Sequence, residues 1–384
     1  FGTGKFDQSG GTHTIYNNLI VGSSWGSNGT YTLSGERDEV TLNVGGRIVL
    51  GETGNGEFNQ SGGTVTTNGL YLGQNGTVPN PTGIYHLTGT GALQVNGDET
   101  IGQFGHGEFY QGDGSNQTEH TVTGTLAIGD EANIYHDDDN GRRYGDADYQ
   151  EGDNSDVIPR SGTYELQDGT LTTNNTIVAS KGTGSFLQGG GLHAVTGDLV
   201  IGQENLPVDR GCGEGADSTC SVGGPAQGTY TFNGGALTVG GQVIVGDAGT
   251  GSFIQTGGTN TVVDTLVLGQ EGTANGTYDL NGAASKLIIG DDTLLNGSFE
   301  VGSSGIGMFT QHDGSVTVNG LMFVGAAANS QGTYELNGKS LEVFGNEVKI
   351  GGYGTGIFTQ TGGVFTYAGA MYLGDHETGK GTYN

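Results

Sequence analysis

The sequence is poor in basic residues, cysteine and proline, and it has no long apolar run. Among 384 residues there are only 12 Lys or Arg, 2 Cys and 5 Pro, and the 41 Asp or Glu give a formal net charge of −29. Because so few cations cannot neutralise a run of phosphates, we expect no nucleic-acid partner. No apolar stretch approaches the ~20 residues that cross a bilayer as a helix, and no transmembrane segment is predicted.

Glycine is the residue that the sequence has in excess. The chain holds 81 Gly, roughly three times the ordinary share. Glycine does not recur at every third position and proline is scarce, which excludes a collagen triple helix. A glycine-rich acidic chain is also typical of disorder, but a regular internal repeat argues against that interpretation.

Two repeat forms alternate along the whole chain. The first form reads G-x-G-x-F-x-Q and begins at Gly2, Gly54, Gly105, Gly182, Gly249, Gly305 and Gly354. The second form reads G-[TI]-Y-x-[LF] and begins at Gly29, Gly83, Gly162, Gly228, Gly276 and Gly332, with the start of a further copy at Gly381. Each complete unit closes with an aliphatic residue followed by a small one. Units this short cannot bury a core alone, and they must therefore stack on one another.

The pattern within a unit predicts strands. It has period two, it is rich in Val, Ile, Thr, Tyr and Phe, and glycines break the runs, as is typical of short strands joined by tight turns. No segment shows a sustained helical stripe. We therefore predict an all-β fold, a single-stranded parallel β-helix (β-solenoid) of about 13 coils, which forms one domain over residues 1–384.

Alignment of the units places like residues in three columns. The aromatic column begins with Phe6, Tyr31, Phe58, Tyr85 and Phe109 and continues through every unit. Two residues further on, the first form always has glutamine, at Gln8, Gln60, Gln111, Gln188, Gln255, Gln311 and Gln360. The third column holds the closing aliphatic residues. We expect these columns to form the core, and we expect the glutamine amides to pair with one another or with turn backbone as a structural ladder.

The variation in length is concentrated in one connector. The connector from the second form to the first always has two residues, whereas the connector from the first form to the second has 6 to 32. The two large insertions, 130–161 and 203–227, are therefore predicted to emerge at one corner of the coil. Insertions in repeat proteins often mark a binding face, and harmless loop growth is the alternative.

The insertion 130–161 is acidic, with ten Asp or Glu in 32 residues. Clustered oxygens of this kind suit calcium. The candidate ligands are Asp137, Asp138, Asp139, Asp146, Asp148, Glu151 and Asp153. Their spacing does not match the EF-hand loop, which leaves a solvated acidic loop as the alternative. No other cofactor is expected.

The insertion 203–227 contains both cysteines, Cys212 and Cys220. We expect a disulfide that closes this glycine-rich loop, which places the chain in an oxidising compartment. A metal pair is disfavoured because no nearby His or Cys completes a tetrahedral site.

The repeat consensus resembles that of large secreted bacterial surface proteins of the autotransporter type and of the PEP-CTERM-sorted type. Residues 249–269, GTGSFIQTGGTNTVVDTLVLG, show the resemblance best. The resemblance implies a right-handed parallel β-helix, export from the cell, and a role in adhesion or extracellular matrix.

The sequence carries no catalytic signature, and we expect a protein that is not an enzyme. The basic residues are scattered, the eight His have no ligand spacing, and a catalytic site would be expected to disturb the repeat. We expect an extracellular structural protein that builds a filament or surface layer by head-to-tail stacking on itself. The alternative is an adhesin that binds glycans or cell surfaces through the insertion corner. A β-helix enzyme that degrades polysaccharides is the less favoured third reading.

Overall fold

The computed structural model describes residues 2–75, 81–130, 134–136, 161–204, 219–221 and 225–384. Within these residues the chain is all-β and has no helix, as the period-two pattern predicts. Parallel strands stack into a β-solenoid of about 13 turns, which confirms the predicted fold class.

The strands are short and regularly spaced. The first nineteen are β1 (Thr3–Gln8), β2 (Gly11–Ile15), β3 (Leu19–Val21), β4 (Asn28–Leu33), β5 (Val40–Leu50), β6 (Asn55–Gln60), β7 (Thr64–Leu72), β8 (Thr82–Leu87), β9 (Ala92–Val95), β10 (Glu99–Ile101), β11 (His106–Gln111), β12 (Glu119–Ile128), β13 (Ile134–His136), β14 (Ser161–Leu166), β15 (Thr170–Val178), β16 (Thr183–Gln188), β17 (Leu192–Val195), β18 (Leu199–Ile201) and β19 (Thr219–Ser221). The others are β20 (Gln227–Phe232), β21 (Ala236–Val239), β22 (Val243–Val245), β23 (Thr250–Gln255), β24 (Thr259–Val262), β25 (Thr265–Leu268), β26 (Asn275–Leu280), β27 (Lys286–Ile289), β28 (Gly297–Val301), β29 (Ile306–Gln311), β30 (Ser315–Val318), β31 (Gly320–Val324), β32 (Gln331–Leu336), β33 (Ser340–Val343), β34 (Glu347–Ile350), β35 (Thr355–Gln360), β36 (Val364–Tyr367), β37 (Ala370–Leu373) and β38 (Lys380–Tyr383).

Each repeat unit forms one coil and contributes to two long sheets. The first sheet has 14 strands and takes the opening strand of every coil, from β1 and β4 through to β35 and β38. The second sheet has 22 strands and takes the remaining one or two strands of each coil. Every pairing within these two sheets is between neighbouring coils and is parallel, because each coil repeats the path of the one before it.

The aromatic column forms a continuous stack, as predicted. Phe6 pairs with Tyr31 in register, Tyr31 pairs with Phe58, and the alternation continues to Tyr383. Neighbouring ring centroids lie 4.5–5.0 Å apart throughout. This distance matches the ~4.8 Å spacing of hydrogen-bonded strands, so the backbone ladder itself sets the stack.

The glutamine side chains do not pair with one another, because a Leu or Phe of the intervening coil separates them. Gln8, for example, lies next to Leu33, which lies next to Gln60. Gln8 Nε2 donates to the carbonyl oxygens of Gly11 and Thr41, each at 3.0 Å. The amide's partners are therefore backbone carbonyls at the starts of β2 and β5, next to the predicted turns, and not a second amide.

The other end of each amide accepts a hydrogen bond that the sequence did not suggest. Tyr31 Oη donates to Gln8 Oε1 of the preceding coil over 2.7 Å. The same bond joins Tyr85 to Gln60, Tyr164 to Gln111, Tyr230 to Gln188, Tyr278 to Gln255, Tyr334 to Gln311 and Tyr383 to Gln360. Each second-form coil is thus tied to the first-form coil before it.

The core is wider than the three predicted columns, and that prediction was incomplete. The second sheet adds three further inward columns of largely apolar residues. Their members include Leu42, Val65 and Leu93 in the first column, Val44, Thr67 and Val95 in the second, and Ile48, Leu70 and Glu99 in the third. These side chains are buried, and they face the aromatic column across the coil.

Removal of one tyrosine hydroxyl tests the link between coils. Tyr334→Phe leaves the buried Gln311 Oε1 without its donor, and we expect a loss of about 1–3 kcal/mol in the free energy of unfolding. Tyr71→Phe changes a hydroxyl on the outer face and should change it by less than about 0.5 kcal/mol. Urea denaturation of both variants measures the difference. Equal effects would contradict the proposed importance of the bond.

Candidate functional site

The long connectors enter the first sheet at aligned positions. Thr82, His106, Ser161, Thr183 and Gln227 begin successive strands and pair with one another in register. The connectors that end at Thr82, Ser161 and Gln227 are the three longest in the chain. They therefore all enter the sheet at the N-terminal ends of its strands, and we call this side of the coil the insertion corner.

The two largest insertions contact each other through backbone pairing. Strand β13 belongs to the insertion 130–161, and β19 belongs to the insertion 203–227. They pair antiparallel, with Tyr135 opposite Cys220. Two segments that lie about 85 residues apart in sequence are thus joined by one two-stranded sheet.

Several predicted site residues lie outside the described residues. These are the candidate calcium ligands Asp137, Asp138, Asp139, Asp146, Asp148, Glu151 and Asp153, together with Cys212. The backbone of Cys220 lies in β19, and its side chain is outside the described part. Among the described residues, no three His, Cys, Asp or Glu are grouped so that they could hold a metal ion.

A serine, a histidine and a carboxylate are hydrogen-bonded at the insertion corner. Ser161 Oγ lies 2.8 Å from His106 Nδ1, and His106 Nε2 lies 2.9 Å from Glu108 Oε1. Tyr110 Oη donates to the other Glu108 oxygen over 3.0 Å. Because an ionised carboxylate only accepts, Nε2 carries a proton, and in the neutral ring Nδ1 then accepts from the Ser161 hydroxyl.

This arrangement has the order of a nucleophile, a base and an acid, but its surroundings do not favour acyl transfer. Acyl transfer also needs N–H donors that face the developing oxyanion. The N–H groups of Gly105 and His106 donate instead to the carbonyls of Gly73 and Pro81 in the preceding coil. The arrangement fits a polar ladder along the corner, of the kind that joins Asn55 to Asn28.

A second group of polar residues lies inside the core. At one inward position of the second sheet, four first-form coils have a polar residue, which is His13, His120, His193 or Asn260. The neighbouring coils have leucine at the same position. Each side chain places a nitrogen 2.8–3.2 Å from the hydroxyl of the next tyrosine, in the pairs His13–Tyr31, His120–Tyr164, His193–Tyr230 and Asn260–Tyr278. The tyrosine thus donates to glutamine and accepts from these nitrogens.

His193 is buried among neutral partners. Its Nε2 lies 3.2 Å from Thr176 Oγ1, and its Nδ1 lies 3.0 Å from Tyr230 Oη. Burial, with a smaller contribution from the charge of His120, lowers the pKa of His193 to about 3. This ring is therefore neutral at physiological pH.

His120 has an acidic partner at the equivalent place. Its Nε2 lies 2.8 Å from Glu99 Oε2, and both side chains are fully inaccessible to solvent. The angle is not that of a hydrogen bond, and neither Glu99 oxygen has another partner. Glu99 and Thr176 occupy one column, in the coils that precede His120 and His193.

Sequence reasoning did not identify these core residues. Their signal is present, since Thr12-His13-Thr14 and Thr259-Asn260-Thr261 place a polar residue at the inward phase of a strand. That phase could be assigned only by aligning the second sheet as well as the first.

The neutral state of His193 predicts a pH dependence of stability. In the unfolded chain His193 binds a proton below about pH 6.5, whereas the folded ring resists it down to about pH 3. Its contribution is therefore complete above about pH 6.5, and it is lost as the pH falls, by about 1.4 kcal/mol per pH unit. His193→Leu puts at this position the leucine that the neighbouring coils have. In this variant the free energy of unfolding should change less between pH 7.5 and pH 5.5 than in the unmodified chain. A slope unchanged by the substitution would contradict this interpretation.

The described residues contain no helix that is long and apolar enough to cross a membrane. No family model, no curated protein and no solved structure matches the chain. The resemblance to autotransporter-type and PEP-CTERM-sorted proteins therefore has no support beyond the repeat itself. What the structure establishes is a β-solenoid of about 13 turns.

Proposed function

We propose that this chain is a non-catalytic structural protein of the cell exterior, a rigid β-solenoid rod that forms filaments or a surface layer by end-to-end stacking. The single observation that carries the proposal is the unbroken register of the first sheet, which runs through 14 strands without a shift. A uniform rod is suited to spanning distance and to displaying a surface.

The contact between two coils supports the stacking step. It consists of parallel backbone hydrogen bonds, stacked rings and a tyrosine–glutamine bond, as between the coils of Phe253 and Tyr278. None of these interactions requires the two coils to belong to the same chain. A coil whose outer edge is free offers unpaired N–H and C=O groups and the face of an aromatic ring to another copy.

Assembly of the 384-residue polypeptide tests the proposal. We expect rods whose length grows with concentration, at enough salt to screen the net charge of −29, measured by electron microscopy and light scattering. Phe6 is 47% exposed in the first coil, and Phe6→Glu should shorten the rods. Thr30→Glu, at an outward position, is the matched control. Particles of one fixed length at all concentrations would refute end-to-end stacking.

A second candidate function is adhesion to glycans or cell surfaces through the insertion corner. The specific observation in its favour is the antiparallel pairing of β13 with β19, which joins the two large insertions. Insertions that share one position in a regular repeat often mark its binding face.

Replacement of both insertions tests adhesion separately from assembly. We would replace 130–161 and 203–227 each by the six-residue connector 270–275 of a regular coil. If the corner binds glycans or surfaces, attachment falls at least about tenfold while the rod still folds by circular dichroism. Attachment that persists in the replaced protein would remove the adhesin function.

Calcium binding by the acidic insertion stays a prediction. Calcium bound by carboxylates among Asp137 to Asp153 of the folded chain should raise the midpoint of thermal unfolding, and a chelator should reverse the rise. The protein with 130–161 replaced should show no such shift. Indifference of the unmodified chain to chelator would leave the segment as a solvated acidic loop.

A further inference from the structure

The pairing of His120 with Tyr164 fixes one proton on the imidazole. Gln111 Nε2 donates to Thr170 O over 2.9 Å, which directs Gln111 Oε1 toward Tyr164. Tyr164 Oη donates to that oxygen over 2.6 Å, and its single proton is used there. His120 Nδ1, 2.8 Å from the same hydroxyl, must therefore donate to it.

The other nitrogen of the ring meets the carboxylate. His120 Nε2 and Glu99 Oε2 lie 2.8 Å apart. A carboxylate beside a neutral ring would be an uncompensated charge in this fully buried site, so the pair is held with one proton, either as carboxylate and imidazolium or as carboxylic acid and neutral imidazole. Together the two side chains then hold one exchangeable proton and no net charge, which is the state that a dry site favours.

We propose that Glu99 and His120 form a one-proton lock in the core, which keeps coils four to six closed only while the pair holds that single proton. A second proton would leave an imidazolium beside a neutral acid, and loss of the proton would leave a carboxylate beside a neutral ring. Each change buries one uncompensated charge, and local opening of the coils relieves it.

No neighbouring group supplies a charge that could balance an imidazolium on His120 or a carboxylate on Glu99. Tyr85 and Tyr164 face it from the first sheet, and burial followed by the nearby Glu99 raises the pKa of both well above 10. His193, two coils further along, is neutral. Asp98 and Glu119, the nearest charged residues in sequence, are exposed.

The lock has a defined dependence on pH. Opening exposes both side chains to water, where a glutamate carboxyl ordinarily has a pKa of about 4.3 and a histidine imidazole one of about 6.5. Between these values the opened and closed states both hold one proton, and closure does not depend on pH. Above about pH 6.5 the opened state has released its proton, and opening becomes more favourable by about tenfold per pH unit. Below about pH 4.3 the opened state holds two protons, and opening again becomes more favourable.

Hydrogen exchange of the full chain tests the proposal, because it measures local opening in the strands that carry Glu99 and His120. We would compare amide protection in 99–101 and 119–128 with protection in 287–289 and 316–318 from pH 5 to pH 9, corrected for intrinsic exchange. The first two segments should lose protection by about tenfold per unit above pH 6.5, whereas the second two should not. Protection that is flat in all four segments would overturn the proposal.

Glu99→Gln is the informative variant, because its amide can donate to His120 Nε2 without a titrating acid. His120 is then neutral when closed. Protection should be flat above about pH 6.5 and should fall below it, the reverse of the unmodified chain over pH 5 to 8. A profile identical to that of the unmodified chain would overturn the proposal.

A second variant keeps the test decisive if glutamine is not accommodated. Glu99→Leu with His120→Leu places the residue of the neighbouring coils, Leu70, Leu126, Leu93 and Leu171, in both columns. In this variant, amide protection of 99–101 and 119–128 should no longer depend on pH, either above about pH 6.5 or below about pH 4.3. Persistence of that dependence would assign it to other groups and refute the lock.

Discussion

The hydrogen bond from each tyrosine to the glutamine of the preceding coil is the constraint that the alternation of two repeat forms satisfies. A buried amide needs a donor for its oxygen, and a buried tyrosine hydroxyl needs an acceptor. If every coil carried Phe and Gln, the amide oxygens would lack a donor. If every coil carried Tyr and Leu, the hydroxyls would lack an acceptor. Alternation satisfies both, and all seven glutamines make this bond.

The same bond determines which polar residues the core can accept. Once the tyrosine proton is committed to glutamine, the phenolic oxygen can only accept, and the core can hold a donor beside it. Histidine and asparagine supply that donor at His13, His120, His193 and Asn260. The far nitrogen of each buried ring then needs its own partner, which is Thr176 for His193 and Glu99 for His120. The hydrogen-bonding needs of one tyrosine therefore determine side chains in three successive coils.

The sequence predicts the fold well because the repeat displays the register directly. Phe6, Tyr31 and Phe58 align by eye, and in a parallel solenoid aligned residues stack. The tyrosine–glutamine bond is not visible in this way, since it joins side chains that are two columns apart in different coils. The buried pair Glu99–His120 is harder still, because it depends on which phase of the second sheet faces inward. The repeat pattern shows which residue occupies each position, whereas these contacts depend on how the backbone of each coil turns and on which side chains it directs inward.

The polar core residues and the insertions occupy the same part of the rod. Glu99, His120, Thr176 and His193 lie in four consecutive coils, on β10, β12, β15 and β17. The two large insertions leave this stretch after β12 and after β18. Burial of an uncompensated charge is costly, so the packing of coils that contain buried ionisable side chains depends on how many protons those side chains hold. The insertions thus leave the rod in the same stretch as its buried polar residues, and under the proposed one-proton lock a change in the protonation of Glu99 and His120 would act on the coils from which they leave.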